Sequence, residues 1–185
     1  LGRDIAFSTL VVDRDGKLLR PFATGEGFWR LPVAARDVDR RYLDMLLAYE
    51  DKRFRDHGGV DPLALARAFL QMAKAGRVVS GGSTLTMQVA RLLEPRPQRR
   101  LVDKLAEMVR AIQIEQRQSK DEILDLYLAL APYGGNIEGI RAASLAYFGK
   151  EPKRLSVAEA AQLVAIPQSP EARRPDRAPV RAADA

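Results

Sequence analysis

Glu50 is the first residue whose type and position could do chemistry. It follows Leu43 by seven residues and Leu46 by four, so it falls on the apolar stripe of a predicted helix. Burial beside Leu46 and Leu47 would raise the pKa of its carboxylate, which suits a general base working near neutral pH. A helix end with charges clustered at the surface explains the same run of residues, and spacing alone favours that interpretation.

A glycine turn precedes a second predicted helix. Gly81-Gly82-Ser83-Thr84 could bring the backbone close to a ligand, and free N–H groups at a helix start attract an anion. Gln88 and Arg91 follow Thr84 by four and seven residues, so they project from its face of the helix. An ordinary glycine loop with an N-cap is the alternative, and the motif alone favours it.

Lys104 and Glu107 lie three residues apart on a third predicted helix, beside a predicted apolar stripe of Leu101, Leu105, Met108 and Ile112. Lys104 belongs to a basic cluster suited to a diphosphate, which comprises Arg91, Arg96, Arg99, Arg100 and Lys104. A solvated helix face with intrahelical ion pairs is the alternative.

An apolar segment from Leu63 to Met72, rimmed by Arg67, Lys74 and Arg77, could lie in a bilayer surface as an interfacial helix. A core helix is at least as good an interpretation of the same pattern.

Composition limits the function classes. The 185 residues carry a net charge of +6, which indicates an anionic partner without choosing among nucleic acid, acidic lipid and phosphate. The absence of cysteine excludes disulfides, thiol nucleophiles and cysteine-based zinc sites, and His57, as the only histidine, excludes a multi-histidine metal site. No run of 18 or more apolar residues occurs.

Turn and cap signals predict the elements that must position these residues. Phe7 to Val12 and Lys17 to Phe22 flank a hairpin turn, and the rest of the chain is predicted to be helical. Helix starts are predicted after Asp37 and Asp39, at an Asp61 N-cap, at a Ser83 or Thr84 cap, and at the capping boxes Ser119/Glu122 and Ser156/Glu159. Gly76 is a predicted stop for the helix that Asp61 begins, and the helix that Ser83 or Thr84 begins should end before Pro95. Two further helices are predicted from about Arg99 to Gln116 and from Asn136 to Phe148, the second closed by Gly149. The predicted fold class is mainly α, with a small N-terminal β element.

Five segments in order resemble the signatures of the peptidoglycan glycosyltransferases (family 51), the polymerase domains of class A penicillin-binding proteins and their monofunctional relatives. They are Glu50 to Asp61, Gly81 to Gln88, Lys104 to Glu107, Ser119 to Leu128 continuing through Tyr133-Gly134-Gly135 to Lys150, and Leu155 to Pro170. The resemblance runs from about residue 38 to 170 and implies a lysozyme-like, two-lobed fold.

The resemblance also implies a domain organisation. We expect an N-terminal β/linker segment at 1–36, a glycosyltransferase domain at 37–170 with a membrane-contacting jaw at about 62–80, and a linker at 171–185. A membrane anchor before Leu1 and a transpeptidase domain after Ala185 would complete the parent chain, so this part alone should not bind penicillin.

The function implied by the resemblance is polymerisation of lipid II into β-1,4-linked glycan, with inversion and release of undecaprenyl diphosphate. Glu50 would be the general base and Glu107 the second essential glutamate. The implied substrate-binding residues are Asp51, Phe54 and His57 at the acceptor end, Ser83, Thr84 and Gln88 at the donor side, and Arg91, Arg99 and Lys104 at the leaving diphosphate.

The implied partners are lipid II, the growing glycan strand and the membrane surface, at the periplasmic side of the bacterial cytoplasmic membrane. Other cell-wall synthesis proteins are further candidate partners, and nucleic acid is not expected. No cofactor is required, although Mg²⁺ or Mn²⁺ could assist the diphosphate. Two alternatives remain: a lysozyme-like glycan-cleaving enzyme, and a non-catalytic basic module that binds membranes.

Overall fold

The computed structural model describes residues 5–75, 82–95 and 101–176, and these residues are mainly helical. The strands are β1 (Thr9–Val12), β2 (Leu18–Phe22), β3 (Trp29–Arg30) and β4 (Ile137–Glu138). The α-helices are α1 (Arg40–Glu50), α2 (Pro62–Ala75), α3 (Leu85–Leu93), α4 (Leu101–Glu115), α5 (Lys120–Leu130), α6 (Ile140–Phe148) and α7 (Val157–Ala165), with 3₁₀ turns at Ala35–Asp37 and Ile166–Gln168. The predicted mainly α class is confirmed. The predicted signals at Gly76, Arg96, Arg99 and Arg100 lie outside the described residues.

The N-terminal hairpin is formed as predicted. Strands β1 and β2 pair antiparallel, with a register irregularity between Val11 and Val12. Asp13 closes the turn, because its Oδ1 atom accepts hydrogen bonds from the backbone N–H groups of Asp15 and Lys17. Gly16 supplies the positive φ of 79° that this turn requires.

A second small sheet was not predicted. Strand β3 pairs parallel with β4, and Trp29 lies opposite Ile137. The helix expected from Asn136 therefore begins only at Ile140, and its predicted start was wrong. Gly139 explains the late start: its φ is +82°, and a Cβ there would lie 2.7 Å from the carbonyl oxygen of Ala129, so the backbone departs from helical geometry at this glycine.

Most predicted helix ends are confirmed by their hydrogen bonds. Asp61 caps α2 by accepting from the N–H groups of Leu63 and Ala64, and Thr84 caps α3 by accepting from Met87 N–H. Each capping-box serine accepts from the N–H of its glutamate while that glutamate accepts from the serine N–H, at Ser119/Glu122 and Ser156/Glu159. Gly149 ends α6 with a φ of 66°.

The chain divides into two compact units, one comprising Leu1–Leu46 and Asp125–Ala185 and the other Leu47–Leu124. The domain limits expected at residues 37 and 170 stay a prediction. In the first unit Tyr42 and Tyr133 are buried and hydrogen-bonded through their hydroxyls at 2.9 Å. In the second, the buried apolar residues are Phe54, Leu85, Met87, Val89, Ala90, Leu93, Ala111, Ile114, Ile123 and Leu124.

Residues 171–176, part of the predicted linker, belong to the first unit and contact other residues of it. The Arg174 side chain lies where a Cβ on Gly134 or Gly135 would stand, and Gly135 N–H donates to the Glu171 carboxylate at 2.6 Å. Burial of Tyr147 raises its pKa, which the nearby Arg174 charge opposes. Glu171 and Arg174 are therefore held in place by contacts with the turn at Gly134 and Gly135.

The predicted apolar stripe of α4 is not the face by which this helix packs. Leu105 is 61% exposed and Ile112 is 43% exposed, whereas Ala111 and Ile114 are fully buried. The helical period is correct, but the packed face is the one that carries small Ala111, because Gly59 approaches the backbone of α4 there. Lys104 lies seven residues before Ala111 and four before Met108, so it lies between the packed face and the apolar stripe of α4.

The described side chains of α2 do not form a buried core face. Leu63 and Phe69 are each 65% exposed, and Leu70 is also exposed. Within the described residues no helix has the length and apolar character that crossing a bilayer requires. Contact of α2 with a membrane surface stays a prediction.

Candidate active site

Glu50 is the last residue of α1 and is half-buried. The Nε2–H of Gln88, on α3, donates a 2.8 Å hydrogen bond to its Oε2 atom. These two residues come from separate motifs 38 positions apart, and the structure brings them into direct contact. A carboxylate at a helix end is thereby given a fixed orientation.

Asp51 joins the end of α1 to the start of α3. Its buried carboxylate accepts a hydrogen bond from Leu85 N–H at 2.9 Å, so a negative charge lies at the α3 N-terminus. His57 Nδ1 accepts from Gly59 N–H, which leaves Nε2 protonated to donate to Asp51 at 2.9 Å. The imidazole is therefore hydrogen-bonded through both of its ring nitrogens.

Phe54 completes the interior of the loop formed by residues 51–61. Its ring is buried and meets the His57 ring edge-on at 6.5 Å between centroids. Asp51, Phe54 and His57, which the resemblance places at the acceptor end, all have buried side chains that contact other protein groups. Their role at the acceptor end stays a prediction.

The α3 N-terminus is built from Thr84 and its glycine neighbours. The Thr84 hydroxyl donates to Gly59 O at 2.5 Å and accepts from Met87 N–H at 3.1 Å. A Cβ on Gly82 would lie 2.7 Å from the Leu65 side chain. This glycine therefore admits close packing of α2, where the sequence predicted close approach of a ligand. Ser83 is half-buried beside it, and Gly81 lies outside the described residues.

Three charged residues face no protein partner in the part of the chain that the structure describes. Arg91 is exposed on α3, and Lys104 and Glu107 are half-buried on α4; none of them makes a hydrogen bond or ion pair there. The intrahelical Lys104–Glu107 ion pair, which was the alternative interpretation, does not form. Arg91 shares the α3 face of Gln88, and Lys104 shares the α4 face of Ala111. Arg99 lies outside the described residues.

Sequence reasoning missed three residues at this site: Thr86, Glu115 and Lys120. The Lys120 ammonium donates to Glu115 Oε1 and to His57 O, each at 2.6 Å, and the Thr86 hydroxyl donates to the same Glu115 oxygen at 2.6 Å. These contacts join residues up to 63 positions apart, so spacing within a short segment could not predict them. The one sequence signal for Lys120 was its position beside a capping box, inside a family motif.

Asp61 ends the loop as an ionised cap. Burial acts to raise the pKa of its carboxyl, but the N–H of Ala64, the charge of Arg53 and the N–H of Leu63 outweigh burial, so the pKa is lowered. The cap of α2 therefore stays charged throughout the neutral range.

No group of three or more His, Asp or Glu side chains within residues 5–75, 82–95 and 101–176 is arranged to hold a metal ion. The expected role of Mg²⁺ or Mn²⁺ at a diphosphate stays a prediction, since the donors such an ion would use include the substrate itself.

A family model described as Transglycosylase matches residues 15–185. The chain belongs to the transglycosylase family. The family resemblance expected from the five motifs is thereby confirmed, and the peptidoglycan glycosyltransferase class it implies is supported.

Relatives of this transglycosylase are penicillin-binding proteins. Penicillin-binding protein 1C of Escherichia coli (strain K12) is 53% identical over 94% of this chain and 22% of its own length. Penicillin-binding protein 1A of Pseudomonas aeruginosa is 39% identical over 94% of this chain and 21% of its length, and penicillin-binding protein 1F of Bacillus subtilis (strain 168) is 37% identical over 88% and 22%. The chain thus spans about a fifth of the length of these curated relatives.

Proposed function

We propose that this transglycosylase domain polymerises lipid II into β-1,4-linked glycan and releases undecaprenyl diphosphate. The observation that carries the proposal is the carboxylate of Glu50, oriented by Gln88, with Arg91 one turn further along the same face of α3. A base whose hydrogen-bond donor shares a helix face with a cation, one that no described protein group neutralises, suits a reaction in which an alcohol attacks and an anion leaves.

The roles follow from that arrangement. Glu50 removes the proton from the 4-hydroxyl of the acceptor sugar as its oxygen attacks the anomeric carbon of the donor. The bond from that carbon to the diphosphate breaks on the opposite side, so the configuration inverts. Arg91 and Lys104 stabilise the charge that develops on the leaving diphosphate, together with Arg99. Glu107 orients one of these cations or assists the leaving group.

The same proposal assigns residues to the donor and to the acceptor sugar. Ser83, Thr84 and Gln88 serve the donor, and Asp51, Phe54 and His57 shape the acceptor end. The exposed apolar side chains of α2 support contact with the outer surface of the cytoplasmic membrane, where a lipid-linked substrate is held. Mg²⁺ or Mn²⁺ would assist the diphosphate without being required.

Polymerisation of labelled lipid II in detergent tests the proposal, with wild type compared to Glu50→Gln. Asp44→Asn is the matched control, because Asp44 is an exposed carboxylate on the same helix. We expect long glycan from wild type and Asp44→Asn, and none from Glu50→Gln. Release of undecaprenyl diphosphate in step with glycan growth identifies the leaving group.

Two other outcomes would overturn the proposal. Release of fragments from finished cell-wall sacculi without lipid II would identify a lysozyme-like glycan-cleaving enzyme. Undiminished function in Glu50→Gln, together with binding to anionic vesicles, would identify a basic membrane-binding module.

A further inference from the structure

The ammonium group of Lys120 is enclosed by protein groups. It donates to the backbone oxygen of His57 and to the Oε1 atom of Glu115, each at 2.6 Å, and lies 4.6 Å from the centre of the Phe54 ring. Its side chain is 19% exposed and that of Glu115 is 10% exposed. A lysine on the first turn of a helix ordinarily extends into solvent, so this placement needs a reason.

The hydrogen bonds of Lys120 close a circuit. One branch runs through His57 to the Asp51 carboxylate, which accepts from Leu85 N–H. The other branch runs through Glu115 to the hydroxyl of Thr86, the residue next to Leu85. Both branches therefore meet in the first turn of α3.

The circuit holds together the elements that carry the reacting groups. Asp51 directly follows Glu50, and Gln88 lies one turn after Leu85, so the circuit connects the backbone on both sides of the Glu50–Gln88 hydrogen bond. Glu115 ends α4, which carries Lys104 and Glu107 on the face of Ala111. The ammonium of Lys120 bonds His57 and Glu115, so its effect on the reacting groups passes through those two residues.

We propose that Lys120, paired with Glu115, is a positioning residue for glycosyl transfer: it closes the circuit that fixes the end of α1 against the first turn of α3, and so orients the Glu50 carboxylate. The inference rests on the proposed function of Glu50. Lysine suits this position because its ammonium can bond a carbonyl and a carboxylate at once and still face an aromatic ring.

The charges of Lys120 and Glu115 determine which variants can test this role. Removing the ammonium alone leaves a largely buried carboxylate without its counter-ion, which is destabilising. Lys120→Met is therefore compared with the double variant Lys120→Met/Glu115→Gln. The double variant has no uncompensated carboxylate at residue 115, and its new amide oxygen can still accept from the Thr86 hydroxyl. Arg55→Gln is the control, because it removes an exposed cation that joins the same loop to the same helix through Asp121.

Two measurements are made on each variant: kcat and KM for labelled lipid II, and hydrogen exchange at the amides of Leu85 and Gly59. Because small displacements of reacting groups are costly, we expect Lys120→Met and the double variant to lose roughly 10- to 100-fold in kcat, with KM within about 3-fold of wild type. Exchange at Leu85 and Gly59 should accelerate while unfolding stays cooperative. Arg55→Gln should match wild type in both measurements.

The two measurements separate this proposal from the proposed function. If wild type polymerises lipid II and the double variant matches Arg55→Gln in kcat and in exchange, the positioning role is overturned. A loss of rate no larger than the loss of folded protein overturns it as well. If wild type makes no polymer while exchange at Leu85 still responds to Lys120→Met, the proposed function fails, and the positioning of the α3 turn by Lys120 stands.

Discussion

The side-chain amide of Gln88 donates a 2.8 Å hydrogen bond to the Oε2 atom of Glu50. It joins the last residue of α1 to the middle of α3, and α3 begins at the N–H group that Asp51 binds. The orientation of the proposed base is therefore set by a second helix and not by its own helix alone.

Replacing Gln88 should slow turnover more than it weakens binding. Gln88→Leu keeps a side chain of similar size but removes the donor, so Glu50 would sample other orientations. We expect kcat to fall about 10- to 100-fold, with a smaller change in KM, in steady-state assays on lipid II. Gln116→Leu, at an exposed glutamine of the same unit, should be close to wild type. An increase in KM at constant kcat would show that Gln88 only binds substrate.

Glu107→Gln should lower the rate of polymerisation while leaving the free energy of unfolding nearly unchanged. Glu107 makes no hydrogen bond or ion pair with the described residues, so its loss should change the free energy of unfolding by about 1 kcal/mol or less. Polymerisation should fall about 10²-fold or more, because the reaction loses a charged group beside the leaving diphosphate. Urea unfolding and the lipid II assay check the two parts. Asp121→Asn, in an exposed ion pair with Arg55, is the control expected to keep both.

Two neighbouring glycines should respond differently to alanine. Gly59 has a φ of +96°, and a Cβ there would lie 2.7 Å from the backbone carbon of Ala111, so Gly59→Ala should lower the free energy of unfolding by about 2 kcal/mol or more. A Cβ on Gly58 meets nothing within 4 Å, and Gly58→Ala should change stability by about 1 kcal/mol or less. Urea denaturation followed by circular dichroism measures both. Equal effects would show that the loop does not pack against α4.

The lowered pKa of Glu159 should make the free energy of unfolding depend on pH in the acid range. Its hydrogen bonds with Lys150 and with Ser156 N–H lower its pKa from 4.5 to about 2. The folded state therefore gains stability from this carboxylate above pH 4.5, and that contribution is lost as the pH falls towards 2. Glu159→Gln retains an oxygen for Ser156 N–H but loses the ion pair, at a cost of about 1 kcal/mol or less at about pH 7. Urea midpoints should differ at about pH 6 and converge near pH 2, whereas parallel curves would contradict the assignment.

Local patterns were sufficient for the helix ends. The caps at Asp61 and Thr84, the two capping boxes and the glycine stop at Gly149 depend on groups within a few residues of one another, so each is readable from a short window. The same holds for the family motifs, because each is a continuous segment whose residue types are required by the chemistry. The family and the set of candidate residues, including Glu50 and Glu107, were therefore available from the sequence.

The tertiary structure decided which way those residues face. Periodicity gave the repeat of α4 correctly, but packing at Ala111 selected the face with the smaller side chains and left Leu105 exposed. Gly82 serves the packing of Leu65, and His57 lies buried against Asp51, although each residue type suits a ligand site equally well. Spacing along one helix cannot tell these roles apart, because they depend on neighbours distant in sequence.

The circuit closed by Lys120 is the clearest case. The sequence by itself determined that this lysine belongs to a family motif beside a capping box, which is a property of adjacent residues. Only the fold decided that its ammonium binds Glu115 and the His57 carbonyl and thereby supports the turn at Leu85 and Thr86. The physical reason is that a hydrogen bond depends on distance in space, and separate segments of the chain must be folded before these atoms come within about 3 Å of one another.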